Sequence, residues 1–258
     1  MSELRPKISI VTINYNHKAG LEQTIRSVIE QTYDHIEYIV IDGGSKDGSA
    51  EVIEKYADHV QHWVSEPDGG IYDAMNKGAL AATGDWVNFM NSGDVFAATD
   101  VVAFFAPKMS EEIDLIYGHS IGVHEDGTEV FRGGGDPTLI WKSGQIRHNA
   151  LFARTHLMRE HPFSTDASLK VVADFDFMYK MYCLEKSYQR VDKTVLKYEI
   201  DGVSSQRSKW QEIQDVYKIH VRHKDLRPVS YRFHLWKLWR WAKNTSRNNL
   251  IKLLKGKS

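Results

Sequence analysis

Apolar positions in the first hundred residues fall into short continuous runs separated by amphipathic stretches. Lys7–Ile13 (KISIVTI) and Ile36–Ile41 (IEYIVI) are β-branched runs of the kind that form strands buried on both faces. Between them, Leu21–Gln31 places Leu21, Ile25, Val28 and Ile29 at helical spacing. DGGSKDGSAEVIEKYA reads as a tight turn and then a helix, with Ser45 or Asp47 expected as its cap. Val60–Val64 reads as a short strand, Ile71–Ala82 as a helix and Asp85–Met90 as a strand. This alternation predicts an α/β domain built on a mostly parallel sheet flanked by helices.

The second half is less regular. Ile113–Gly118, Glu129–Arg132, Asn149–Arg154 and Thr194–Ile200 read as strands, and Gly133–Pro137 as a loop. Asp174–Glu185 reads as a helix. Gln206–Lys224 and Ser230–Lys243 follow as further helices and suggest a helical extension, so the expected division is a catalytic domain over 1–205 and an extension over 206–258.

Composition narrows the class. The 258 residues are 42% hydrophobic and 26% charged, as in ordinary globular proteins. No apolar stretch is long enough for a bilayer-spanning helix, and the start lacks a signal-peptide pattern. One cysteine, Cys183, excludes an internal disulfide framework and fits a reducing cytoplasm. The net charge of −1 conceals an asymmetry, because no acidic residue lies beyond Asp225 while nine Lys and Arg do. Such a tail seeks an anionic surface. Nucleic acid is not the expected partner, since the acidic body would repel phosphates.

Polar residues gather where the first four strands end: Asn14, Tyr15 and Asn16; Asp42, Gly43 and Gly44; Glu66, Pro67 and Asp68; Asn91, Ser92, Gly93 and Asp94. Any one group fits turn chemistry. Together they mark one rim, and in α/β sheets ligands bind beyond the carboxyl ends of the strands. No G-x-G-x-x-G follows the first strand, where TINYN stands instead.

The segments ISIVTINYN, YIVIDGGSKDGS, SEPDGGIYDAMNKGALAATGDW, FMNSGD, IRHNALF and VVADFDF resemble the family 2 glycosyltransferases of the GT-A fold. Within that family they are similar to the bacterial exopolysaccharide and O-antigen group, including colanic-acid-type transferases. The resemblance spans roughly residues 6–205 and implies a Rossmann-like GT-A sheet and an inverting transfer of sugar from a nucleotide-sugar, UDP-linked by family frequency. It implies Asp94 of Asn91-Ser92-Gly93-Asp94 as ligand to a divalent cation, Mn2+ or Mg2+, although relatives often carry two carboxylates there. It implies Asp174 of VVADFDF as general base, with Asp176 supporting it. Donor-binding positions by the same match are Asn14, Tyr15, Asn16, Asp42, Asp68, Asn76, Lys77, Ser92, Gly93 and His148. Relatives have arginine in place of Met75 and glutamine in place of Asn149. The Asp201–Ser204 segment resembles a Gly-Val-Ser loop near the diphosphate.

The acceptor implied is a saccharide, including one linked to polyprenyl diphosphate at the cytoplasmic face. Trp236, Trp239 and Trp241 among Lys and Arg suit a helix on an anionic membrane surface, which makes residues 230–258 the expected contact and the inner face of the plasma membrane the expected place. Two competing readings are another nucleotide-dependent α/β enzyme and a non-catalytic nucleotide- or sugar-binding module.

Overall fold

Strand β1 (Ile8–Asn14) is buried along its whole length, and its neighbours explain why. β2 (Ile36–Asp42) and β4 (Trp86–Asn91) flank it in parallel, and β3 (His62–Ser65) continues the sheet beyond β2. The structure is a computed structural model that describes residues 5–142, 146–200, 208–228, 235, 237–239 and 242–243. Two compact units divide the chain, Met1–Gly202 and Val203–Ser258.

In the first unit, helices α1 (Lys18–Ile29), α2 (Ser49–Lys55) and α3 (Ile71–Ala81) connect these strands. Side chains alternate across a strand, so β1 serves two cores. Ile8 and Ile10 join Leu21, Ile25 and Val28 of α1 in one cluster. Val11 meets α3 at Gly78, where an added Cβ would lie 2.3 Å from Val11 Cγ1. Only glycine lets this helix lie so close.

The sheet continues through β5 (Val95–Phe96), β6 (Leu115–Val123), β7 (Glu129–Arg132), β8 (Leu151–Arg154) and β9 (Tyr188–Glu199). Its order is β3-β2-β1-β4-β8-β6-β9-β5, with β7 on β6. The pairings set β1, β2, β3, β4, β6 and β9 in one direction and β5, β7 and β8 in the other. The expected mostly parallel α/β sheet is therefore present. Helices α4 (Val101–Phe105), α5 (Thr155–Glu160) and α6 (Ala173–Cys183) complete the unit.

Several boundaries differ from the sequence expectation. The strand expected at Asn149 starts at Leu151, because residues 148–150 form a 3-10 turn. β6 and β9 are longer than expected, since each pairs along the other. The cap of α2 is neither Ser45 nor Asp47. Gly48 takes that place with φ +90°, and the Asp47 carboxylate accepts from Ser49 N instead. A positive φ there favours glycine.

In the second unit, α7 (Lys209–Arg222) starts at a capping box formed by Ser208 and Gln211. The helix expected over Ser230–Lys243 falls largely outside the described residues, as does the Asp201–Ser204 loop; Leu235, residues 237–239 and residues 242–243 are helical.

Candidate active site

β1 stands where strand order reverses, with β2 on one side and β4 on the other. Open α/β sheets bind ligands at that switch point. Register places Asn14 beside Asp42, Asp42 beside Ser65, and Ile13 beside Asn91. The last rung of each strand is thus polar, and the polar groups bond to one another across the rim.

Asp42 is the hub of the first half. Its Oδ1 accepts from Asn14 Nδ2 at 2.6 Å and Ser45 Oγ at 2.5 Å, and its Oδ2 from Ser45 N at 2.9 Å and Ser65 Oγ at 2.6 Å. Burial works to raise the Asp42 carboxyl, but these donors outweigh it and hold it below the usual carboxylate range. Asn14 Oδ1 in turn accepts from Ser92 Oγ at 2.7 Å, tying β1 to the turn after β4. Asn16, in the left-handed region at φ +49°, accepts from Lys46 N through its side chain. Beside this network, Gly43 lets Asp68 and the Tyr15 ring lie close against the backbone. A Cβ there would lie 2.8 Å from Asp68 Oδ2 and 3.2 Å from the Tyr15 ring. Tyr15 is 69% exposed, so its ring presents a free face.

The second half joins α3, β4, β8 and α6. Asp174, in the first turn of α6, accepts through Oδ1 from Phe175 N at 2.8 Å and Tyr72 Oη at 3.1 Å. Its Oδ2 lies 3.1 Å from His148 Nδ1. The other ring nitrogen, Nε2, lies 3.4 Å from Asn91 Nδ2. The neighbouring Asn149 donates to Asp94 Oδ2 at 3.1 Å, and Asn91 N donates to the same oxygen at 2.9 Å. Asp174 and Asp94 are therefore linked through His148, Asn91 and Asn149. β8 makes this link possible. It runs antiparallel to β4, so the residues before it arrive at the rim where β4 ends. Asn88 Nδ2 anchors that entry by donating to Asn149 O and Leu151 O.

The two carboxylates differ electrostatically. Burial pushes the Asp94 carboxyl up to about 6 against the opposing Asn149 bond. Burial also works to raise Asp174, but the bond and charge of His148 and the Phe175 N–H outweigh it and lower the carboxyl. Asp174 is thus held as an anion at neutral pH, whereas Asp94 is a buried carboxyl short of positive charge. A cavity beside the pair is lined by Val87, Phe89, Leu151, Met158, Phe163 and Phe177 besides His148 and Asp174; Asp94 does not line it.

The remaining expected residues have other partners. Asn76 forms a two-way bond with the Phe163 backbone, and Phe163 packs against Tyr72, Phe89 and Phe177. That packing supports the Asp174 end of the site. Lys77 pairs with Glu66 at 3.0 Å. Asp68 Oδ1 accepts from Gly70 N. Gly93, at φ +98°, shapes the turn ahead of Asp94. Buried Asp176 lies on α6 beyond Asp174.

Sequence reasoning placed Asn91 at the rim without a role and did not single out Tyr72, Ser45, Ser65, His17 or Glu199 as site residues. His17 lies 3.2 Å from Ser92 O, and Glu199, at the end of β9, adds like charge near Asp94. Tyr72 and Asn91 lie inside the quoted motifs, which carried the signal. Glu199 carried none, because a strand end gives no hint of a pairing so distant in sequence.

Residues 9–164 match the family model described as glycosyl transferase family 2. The chain belongs to that family. An uncharacterized glycosyltransferase of Mycobacterium tuberculosis is 46% identical over 99 residues, which span 38% of each chain. A PGL/p-HBAD biosynthesis glycosyltransferase of Mycobacterium bovis is 30% identical over 69% of this chain and 70% of its own. The putative teichuronic acid biosynthesis glycosyltransferase TuaG of Bacillus subtilis is 21% identical over 97% of this chain and all of its own. Among solved structures, mannosyltransferase PcManGT from Pyrobaculum calidifontis, in complex with GDP-Man and Mn2+, superposes with a TM-score of 0.64 at 16% identity, covering 84% of this chain and 64% of that one. TarS 1-349 from S. aureus, in complex with UDP-GlcNAc, gives 0.66 at 18%, covering 85% and 66%. The fold of this family 2 chain is that of the GT-A glycosyltransferases.

The family implies a divalent cation, and the residues can be tested for it. Among the described residues, no three His, Cys, Asp or Glu gather as a metal site. The rim instead offers oxygen donors: the Asp94 carboxylate and Asn91 Oδ1, which is buried and accepts no hydrogen bond. A hard cation takes such oxygens and keeps its other positions for water and phosphate. The raised Asp94 carboxyl lacks the positive charge that a cation would bring. The donor set fits a cation shared with a phosphorylated ligand.

Proposed function

We propose that this protein is an inverting glycosyltransferase moving a sugar from a nucleotide-sugar, UDP-linked in the first instance, to a hydroxyl of a glycan or lipid-linked saccharide in bacterial surface polysaccharide synthesis. One observation carries the reading: an ionised, hydrogen-bonded carboxylate, Asp174, is connected through His148 and Asn91 to the Asp94 turn at the strand rim. The two ends supply what single displacement requires. One removes a proton from the incoming alcohol and the other faces the leaving group.

In this reading the nucleoside lies beside Gly43, stacked on Tyr15 and bonded by Asp68. Asp42 acts by holding Asn14 and Ser45 in place. Asp94, with Asn91, would hold Mn2+ or Mg2+. The cation, when bound, offsets negative charge on the diphosphate. Asp174 accepts the acceptor's hydroxyl proton while that oxygen bonds to the anomeric carbon. The bond to the diphosphate breaks with its electron pair, so configuration inverts. His148 orients Asp174. Asn76 supports it through Phe163, and Lys77 shapes the donor side through Glu66.

The naming of TuaG for teichuronic acid biosynthesis supports a surface-polymer product, and the PcManGT and TarS complexes support a nucleotide-sugar donor. No helix among the described residues is long and apolar enough to cross a membrane. The proposed setting is the cytoplasm at the inner face of the plasma membrane. There the basic 230–258 segment meets anionic lipid and the acceptor carries a polyprenyl-diphosphate anchor.

The test is a nucleotide-sugar panel with and without Mn2+, read by thermal shift and by nucleotide release. Metal-dependent stabilisation by one nucleoside diphosphate, followed by transfer with inverted anomeric configuration, is the expected result. Stabilisation by a dinucleotide alone, or a product that retains configuration, overturns the proposal.

A further inference from the structure

Carboxylates crowd the rim around the Asp94 turn. Glu199 Oε1 lies 3.7 Å from the place a Gly93 Cβ would take, and its charge works to raise the Asp94 carboxyl. The lysines nearby are engaged, Lys77 by Glu66 and Lys197 by Glu129. A departing nucleoside diphosphate would add roughly two negative charges on its outer phosphate and one on its inner phosphate. One divalent cation does not offset that sum, so a protein cation is needed at this end.

Arg147 stands beside it. Its carbonyl accepts from Ala150 N at 3.1 Å, so the 3-10 turn that delivers His148 and Asn149 starts on this residue. The His148 ring meets Asp174 and Asn91, whereas the Arg147 side chain reaches β9, where its guanidinium carbon lies 4.5 Å from the centre of the Tyr198 ring. β5 runs antiparallel to β9 with Val95 beside Lys197. Continuing that register sets Asp94 level with Tyr198 and Gly93 level with Glu199, which agrees with the approach of Glu199 to Gly93. The guanidinium therefore covers the β9 residue level with Asp94. Tyr198 is buried and gives a fixed platform. Stacking on it holds the long Arg147 side chain in place while its N–H edges stay open. Arg147 is exposed, and no protein acceptor among the described residues takes those N–H groups. A guanidinium held by its face with its fork unused is the arrangement that bidentate phosphate recognition requires.

We propose that Arg147, stacked on Tyr198, binds the diphosphate of the nucleotide donor on the β9 side of the Asp94 turn. The inference rests on the transferase reading and deepens it. As the bond from the anomeric carbon breaks, its electron pair passes to the diphosphate oxygen. The guanidinium meets that charge with fixed donors, and no proton moves to or from it. Its fork spans oxygens of both phosphates, so the site selects nucleoside diphosphates over monophosphates.

The experiment titrates UDP, GDP and dTDP, and the matching monophosphates, into the full chain with Mn2+, read by calorimetry. For the diphosphate that wild type binds most tightly, Arg147→Ala should lose about tenfold or more in affinity, against less than about threefold for the monophosphate. Arg147→Lys keeps the charge without the fork and should lose about threefold or more for the diphosphate. Both losses should narrow as salt rises. Melting temperatures should stay near that of wild type, and where Arg147→Ala melts early, Arg147→Lys decides. An alanine variant that binds the diphosphate like wild type overturns the assignment and leaves the transferase reading standing. Equal losses for diphosphate and monophosphate also overturn it, because they mark a general disturbance of the rim. A wild type that binds none of the three diphosphates overturns both.

Discussion

His148 Nδ1 lies 3.1 Å from Asp174 Oδ2. A carboxylate only accepts, so a hydrogen sits on Nδ1, and Nε2 lies 3.4 Å from Asn91 Nδ2. The ring therefore holds the proposed base and touches the residue that opens the Asp94 turn.

Asp174→Asn should keep nucleotide binding and lose transfer by about 10²- to 10⁴-fold, the usual contribution of a positioned base. His148→Ala should lower kcat by about tenfold to a hundredfold with donor KM nearly unchanged, the effect of a base displaced rather than removed. Steady-state kinetics with titration of the nucleoside diphosphate check both. Full transfer by Asp174→Asn would remove it as base.

Asp94 gives a pH prediction. Its carboxyl is raised to about 6, above the ordinary 3.8. A carboxyl raised on folding contributes stability below about pH 4 and loses that contribution as pH rises through about 6. Without divalent cation, Asp94→Asn should therefore be more stable than wild type at pH 7.5 by about 1–3 kcal/mol. The difference should vanish below pH 4. Mn2+ should stabilise wild type at pH 7.5 and leave the variant unmoved. Chemical denaturation across that range is the measurement, and equal Mn2+ effects on both proteins would move the ligand elsewhere.

Gly43→Ala needs no unusual backbone angle, yet its methyl group would sit against Asp68 Oδ2 and the Tyr15 ring. Nucleotide affinity should fall about tenfold or more, with stability changed by less than about 1 kcal/mol. Calorimetric titration beside a melting curve checks the pair. Unchanged affinity places the nucleoside away from Gly43.

Asp42→Ala leaves the donors of Asn14, Ser45 and Ser65 facing an empty position. A loss of about 2–4 kcal/mol is expected from stranding charge-assisted hydrogen bonds in a buried place. The sign with pH is opposite to that of Asp94: a lowered carboxyl stabilises above its unfolded value and loses this as pH falls below it. Urea midpoints should separate the variant from wild type more widely at pH 7 than at pH 3.

The parallel half of the sheet was readable because β1, β2 and β4 are buried on both sides and so appear as short runs rich in apolar residues. The rim was readable because polar residues interrupt each run at the same end. β5 has only two residues and α4 five, too few to show a period. The pairing of β8 against β4 is a non-local fact that no local pattern encodes. It decides that His148 reaches Asp174 and Asn149 reaches Asp94. The sequence marked Asp42 for a ligand, while the structure fills both its oxygens from within the chain. A carboxylate at a strand end looks the same in sequence whether it faces a ligand or its own loop.

The reversed run of β8 has a consequence for how such an enzyme can diversify. Two consecutive residues, His148 and Asn149, bond to Asp174 and Asp94, so one peptide bond sets their spacing. An insertion or deletion beside that bond would put both ends out of step at once, and no compensating substitution at a single end could restore them. On the proposed roles, new donors would be reached by remodelling the border at Tyr15 and Asp68, while this dipeptide stays fixed as the part from which the rest is measured.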